Sequence, residues 1–326
     1  MISRRKLIGS ATAGLFVAPL AGLAEQTAKV WRIGYLSPAQ AHNAIDEAFD
    51  QSLKNLGYIE GQNLRLERRY TAGRSDKVDS AIAELVGLNA DLIVVWSPGL
   101  TEAVKNATTT IPVVFLAGGL VVEKGIVSNL ARPGGNLTGI SDQAAMTLTG
   151  KLLQILKELV PELSHAGLLR VPLDSTALPS DMTLAAARSL GIRLSIFPFR
   201  SPEDLKGVFA DVERERPQGL VVDRSGVLYA RRREFIEFAA KNRLPTVYGL
   251  REVVTDGGLV SYDSNLPDIA ARGAHYVDKI LKGMRPGDVP VEQPTKYELV
   301  INLKTAKALS LTIPPSLLAR ADQMIQ

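Results

Sequence analysis

The sequence predicts an α/β protein built as two doubly wound, parallel-sheet lobes, and three observations carry that expectation. Short apolar runs rich in strand formers alternate with segments of helical periodicity, the pattern of repeated βα units. Some of these runs are apolar throughout, as expected of strands covered by helices on both faces. About ten strands over 326 residues are more than a single short core serves, so two similar lobes are the economical arrangement.

The elements follow in order. VWRIGYL (30–36) reads as the first strand, and Ile45, Phe49, Leu53 and Leu56 then recur on one helical face that Gly57 stops. NLRLERRY (63–70) carries Arg65, Glu67, Arg68 and Arg69, charges that suit an edge strand because they discourage pairing with another chain. Ile82, Leu85 and Val86 mark a helix, ADLIVVW (90–96) a covered strand, a helix is expected from Thr101, and IPVVFLA (111–117) is the next strand. Leu152, Ile155, Leu156 and Leu159 form a helical stripe ended by Pro161. Strands are then expected at HAGLLR (165–170), RLSIFPF (193–199), GLVVD (219–223), PTVYG (245–249) and GLVSYD (258–263), with helical segments between them.

NLARPGGNLTGIS (129–141) stands near the boundary between the two halves. Gly134 and Gly139 have the glycine spacing of a phosphate loop, but Ile140 and Ser141 stand where that loop needs lysine and a hydroxyl. The stretch reads instead as a joint, with Pro133, Gly134 and Gly135 turning into NLTGIS (136–141) as an extended crossover.

The N-terminus carries Arg4, Arg5 and Lys6, an apolar run over 7–23, then Gly22 and Ala24. That is an export leader over 1–24 with cleavage near Ala24, and Ser3-Arg4-Arg5-Lys6-Leu7-Ile8 resembles a twin-arginine signal. A retained anchor is the alternative, but the run is short for a bilayer span and holds four helix-weakening residues, Gly9, Gly14, Pro19 and Gly22. Removing the leader takes away three basic residues and no acid, which lowers the net charge from +4 to +1. A nearly neutral chain gives no case for nucleic acid as a partner. The run RRREF (231–235) has Glu234 and Glu237 within a turn, as a solvated helix face does.

Catalytic chemistry finds little support. The chain has no cysteine, which removes disulfides, thiolate metal sites and a cysteine nucleophile. His42, His165 and His275 are far apart and none belongs to a metal-spaced pair. No G-x-S-x-G elbow is present. No cofactor and no metal is expected. In an open parallel sheet, ligands bind beyond the carboxyl ends of the strands. The residues just after the strands are therefore the candidates: Ser37, Ser97, Pro98, Gly99, Gly118, Gly119 and Ser141 in the first half, and Arg170, Asp223, Arg224, Tyr248 and Asp263 in the second. The first set offers hydroxyls and exposed backbone N–H groups. The second offers charges and an aromatic ring, with Arg170 and Arg224 suited to fork a carboxylate. Trp96 ends its strand beside Ser97 and is expected at the cleft floor, whereas Trp31 begins its strand at the far end. Each serine and glycine alone also fits a cap or turn.

FDQSLKNLGYIEGQNLRLERR, TTTIPVVFLAGG, NLARPGGNLTGIS, LREVVTDGGLVSYDSNLPD and QPTKYELVINLKTAKALSLTIPPSLLARAD resemble the ABC transporter substrate-binding proteins of the group that includes tryptophan-binding, TrpX-type receptors. The resemblance runs from about residue 33 to the C-terminus. It implies the type I periplasmic-binding-protein fold: two Rossmann-like lobes, a three-strand hinge with crossovers near 138–141, 261–264 and 291–296, and a ligand trapped by closure. The lobes would then be 30–139 plus 264–292, and 140–263 plus 293–326. Relatives often carry an acid after the glycine pair that is Gly118-Gly119 here, where this chain has Leu120. The implied function is an exported, monomeric receptor of the periplasm. It would deliver a small polar or carboxylate-bearing, amino-acid-like molecule to a permease with its ATPase, meeting the membrane only through that permease. A sensor module for a membrane signalling protein and a secreted enzyme on a similar fold are the alternatives.

Overall fold

In the computed structural model, residues 29–142, 148–172, 180–294 and 296–326 are described, and the expected leader lies outside them. Two sheets organise the chain. The first holds β1 (Trp31–Ser37), β2 (Leu64–Tyr70), β3 (Leu92–Trp96), β4 (Val113–Leu116) and β5 (Leu137–Ile140), all parallel, in the order β2-β1-β3-β4-β5. Helices α1 (Ala44–Asn55), α2 (Val78–Gly87) and α3 (Pro98–Ala107) connect successive strands. As its charges require, β2 lies at an edge. Every residue of β3, in the middle, is buried.

The second sheet has the order β12-β11-β10-β9-β8-β6-β7. Its strands are β6 (His165–Arg170), β7 (Arg193–Pro198), β8 (Gly219–Val222), β9 (Thr246–Tyr248), β10 (Val260–Ser264), β11 (Tyr297–Asn302) and β12 (Gln323–Ile325). Helices α4 (Thr149–Leu159), α5 (Asp181–Ser189), α6 (Leu205–Glu215), α7 (Gly226–Lys241) and α8 (Arg251–Thr255) flank it. After β10 the chain enters α9 (Leu266–Leu281), which packs on α1 and against β4 and β5, and so belongs with the first sheet. It then returns to β11, and α10 (Leu303–Ala308) and α11 (Pro315–Leu318) lead to β12. The chain thus passes between the sheets after β5, after β10 and before β11. Two of these passages touch: the Ser141 N–H donates to the Glu292 carbonyl at 2.9 Å, and the Glu292 N–H to the Gly139 carbonyl at 3.1 Å.

Three expectations need correcting. NLTGIS is not a bare crossover, because 137–140 is an edge strand paired to β4, and the passage begins at Ser141. Gly139 (φ +147°) makes that pairing possible: a Cβ there would stand 2.0 Å from the Phe115 carbonyl oxygen. Helix α3 starts at Pro98 rather than Thr101, since proline at the first helical position lacks only an N–H that the helix would leave unpaired. Finally, the second sheet gains β11 and β12, and β11 runs antiparallel to β10, so this sheet is not wholly parallel.

Candidate ligand-binding cleft

The carboxyl ends of both sheets face one cavity of about 580 Å³, within the range of small-molecule sites. Its wall is largely apolar: Ile45, Val78, Trp96, Leu100, Leu120 and Ile126 from the first sheet's side, and Val171, Pro172, Val227, Tyr229 and Leu250 from the second's. Six of the twelve candidate residues line it, namely Ser37, Ser97, Pro98, Gly99, Gly118 and Arg224.

Helices α1, α2, α3 and α7 are among those that present their N-terminal ends to this space, and their charges differ. Helix α1 is closed by a capping box from Asn43 and Asp46, and α2 carries Asp79 in its first turn. Helices α3 and α7 have no acid in the first turn. Ser225 caps α7 by accepting from the Leu228 N–H at 3.0 Å, whereas no side chain caps α3 among the described residues. The free N–H groups of α3, at Gly99 and Leu100, therefore form a positive end on the cavity wall. Backbone strain gathers at the same place. Ser97 (φ +76°, ψ 152°) and Ala117 (φ +55°) follow β3 and β4 directly, and the first lies in a region almost reserved for glycine.

Tyr35 and Asp46, which line the cavity, form a polar cluster with Tyr70. The Asp46 carboxylate, 1 % exposed, accepts from the Tyr35 hydroxyl, from the Tyr70 hydroxyl at 3.1 Å, and from the Asn43 backbone and side-chain amides at 3.1 and 2.7 Å. Burial pushes its carboxyl above the usual range, against those hydrogen bonds. With its oxygens so occupied, Asp46 orients the two tyrosines.

The other six candidates lie off the cavity wall. Gly119 and Ser141 bond each other, Ser141 Oγ donating to the Gly119 carbonyl at 2.7 Å, and the Gly119 N–H donates to Asp142 at 2.9 Å. Asp263 sits where β10 leaves for α9 and pairs with Arg224 at 3.4 Å. Tyr248 is 1 % exposed in the core. Arg170 Nε is 3.9 Å from Asp223, and Asp223 accepts from Thr149 Oγ1 at 2.9 Å. Desolvation foremost pushes Asp223 up to about 6. Arg224 itself is paired twice, with Asp142 and with Asp263, and also reaches Ser264 Oγ at 3.3 Å. Its fork ties two interlobe passages together at the cavity wall.

Two facing α/β lobes, three chain passages and one apolar cavity between the strand ends define a two-lobed binding protein of the type I periplasmic class. The chain belongs to the ABC transporter substrate binding protein family, whose profile matches residues 38–325. This is a family of solute-binding proteins, not of enzymes. The tyrosine-binding protein of Clostridioides difficile is 24 % identical over 287 residues, spanning 85 % of this chain and 80 % of that one. A conserved domain protein from Vibrio cholerae is 26 % identical with a TM-score of 0.80, covering 91 % of this chain and all of that one. An ABC domain in complex with L-Trp from Streptococcus pneumoniae has the same coverage and TM-score at 24 % identity. A ligand-free, open substrate-binding protein from Clostridium difficile gives a TM-score of 0.59 at 21 % identity, again with 91 % and 100 % coverage. Among the described residues no helix is long and apolar enough to cross a membrane.

Proposed function

We propose that this chain is the periplasmic receptor of an ABC importer and that it encloses an amino acid with a large apolar side chain. The lobes are 30–139 plus 264–292, and 140–263 plus 293–326, behind a cleaved leader. The receptor works as a monomer and hands its ligand to a permease with its ATPase. The observation that carries the reading is the uncapped N-terminus of α3 at the edge of an apolar cavity. A carboxylate there accepts from the Gly99 and Leu100 N–H groups and gains from the helix dipole. Ser37 and Ser97 stand beside it as hydroxyl donors. The side chain of the ligand then fills the space between Trp96 and Tyr229. Asp79, on the same wall, offers a carboxylate to the amino group. The tyrosine and L-Trp named for two relatives belong to this ligand class.

A thermal-shift titration tests the reading. L-tyrosine and L-tryptophan are expected to stabilise the protein, by about 2.7 kcal/mol at a hundred times the Kd. Tyramine and tryptamine, which lack the carboxylate, are expected to do far less. Glycine, which lacks the side chain, should also fail. Equal stabilisation by tyrosine and tyramine would remove the carboxylate from the argument.

A further inference from the structure

The two lobes touch at the mouth of the cavity, and the contact is made by backbone. Gly73, in the loop after β2, has φ +71°, and a Cβ there would stand 3.1 Å from Val227 Cα, 3.2 Å from the Gly226 carbonyl oxygen and 3.3 Å from the Val227 nitrogen. Gly226, the first residue of α7, faces Pro38 of the other lobe, and its Cβ would stand 2.9 Å from Pro38 Cβ. Real Cβ atoms essentially never come that close, and a proline ring has no flexible end to yield. Polar contacts flank this seam. Gln40 Nε2 donates to the Ala230 carbonyl at 2.5 Å, next to the break in helical geometry at Arg231 (φ −116°, ψ 19°). Arg74 stands 3.7 Å from Glu203. Gly73, Pro38 and Gly226 also line the cavity, so the seam is part of its wall.

We infer that Gly226 and Gly73 are positioning residues for closure. The absence of side chains at these two positions lets the lobes meet over the ligand, and a single methyl at Gly226 holds them apart. The inference rests on the two-lobed receptor reading but not on the identity of the ligand. Gly226 is the sharper test because its φ is ordinary and alanine favours a helix more than glycine does. Gly226→Ala should therefore leave the fold as stable as before while disfavouring the closed form. Gly207, inside α6 with open space around its Cβ position, is the control.

The chain has no cysteine, so Lys77→Cys with Lys206→Cys gives one clean spin-label pair across the cleft mouth. Pulsed dipolar distances are expected to include a short component in the wild type, alone or with L-tyrosine or L-tryptophan. That component should be lost in Gly226→Ala, kept in Gly207→Ala, and regained when Pro38→Gly is added to Gly226→Ala. A tenfold loss of the closed fraction weakens the apparent affinity for either amino acid about tenfold. A short component that is absent from the wild type, or equal in wild type and Gly226→Ala, overturns the inference. If neither amino acid binds the wild type, the ligand reading fails, and the unliganded distances alone decide the seam.

Discussion

The two walls of the cleft use polar groups in opposite ways. On the first lobe, beside the engaged cluster around Asp46, one helix end is left open: the α3 N-terminus has no side-chain cap, and Ser97 holds a backbone angle that favours glycine. On the second lobe the polar groups are already engaged. Arg224 binds Asp142 and Asp263, and Arg170 faces Asp223. Both lobes line the cavity, but the charges that follow the second lobe's strands are spent on one another. A charged residue at a strand end reveals its position, not whether it is available to a ligand.

Arg224→Ala breaks this comparison most severely. It leaves Asp142, fully buried, and Asp263, 3 % exposed, without their guanidinium. Loss of one partner from a buried ion cluster costs about 3–5 kcal/mol. Urea denaturation should show that loss, while Arg224→Lys recovers part of it. A variant within 1 kcal/mol of the wild type, a threshold set well under the ordinary cost of such a loss, would mean that the cluster is not a structural pin.

The second effect is one of pH. Asp223 is raised from 3.8 to about 6, by desolvation foremost, with Arg170 and Thr149 opposing. The folded protein therefore holds this proton more tightly than the unfolded chain does. The sign follows: between those two values the native state binds more protons, so stability falls as pH rises through the window. The contribution is at most about 1.4 kcal/mol per pH unit crossed. Because other carboxylates add their own slopes, the measurement is a difference. The stability of wild type minus Asp223→Asn should fall from pH 4 to 6 and then level off. A flat difference across the window would place Asp223 at its ordinary value.

The extent to which this could be read in advance follows the same division. HAGLLR is β6 residue for residue, because a short apolar run between turn residues is a local signal. YELVIN, which is β11, was harder to read because Glu298 interrupts its apolar pattern. Arg251 and Asn265, from other elements, neutralise and bond that carboxylate, and nothing local announces them. Arg224 is a parallel case. Its place after β8 was legible, but its partners arrive from β10 and from the passage after β5. Trp96 could be placed from its neighbour Ser97, whereas the cluster of Tyr35, Asp46 and Tyr70 joins three separate elements and has no sequence motif. Open groups on the first lobe were easier to find because hydroxyls and glycines after a strand need no distant partner.

Ser97→Gly sharpens the contrast on the first lobe. The Ser97 angles cost on the order of 1–3 kcal/mol in a residue with a side chain. Glycine relieves that strain but gives the unfolded chain about 0.4–1 kcal/mol of extra freedom. The net expectation is a protein more stable by about 1 kcal/mol that nonetheless binds L-tyrosine or L-tryptophan more weakly, having lost a hydroxyl from the cavity wall. Stability and affinity moving together would show that Ser97 serves the fold alone.

The smallest effect is spectroscopic and separates the two ends of the first sheet. Trp96 is 5 % exposed and lines the cavity. Trp31 opens β1 with Lys29 Nζ 3.6 Å above its ring. It lies five residues before Leu36, about 17 Å from the cleft end of that strand. A ligand entering the cavity changes what the Trp96 indole touches and displaces water near it, while Trp31 keeps its surroundings. Titration with L-tyrosine, followed by tryptophan emission excited beyond the tyrosine band, should therefore respond in the wild type and in Trp31→Phe. It should be silent in Trp96→Phe even where calorimetry still detects binding. A response that survives in Trp96→Phe and disappears in Trp31→Phe would put the ligand at the amino ends of the strands, away from both the α3 N-terminus and the seam.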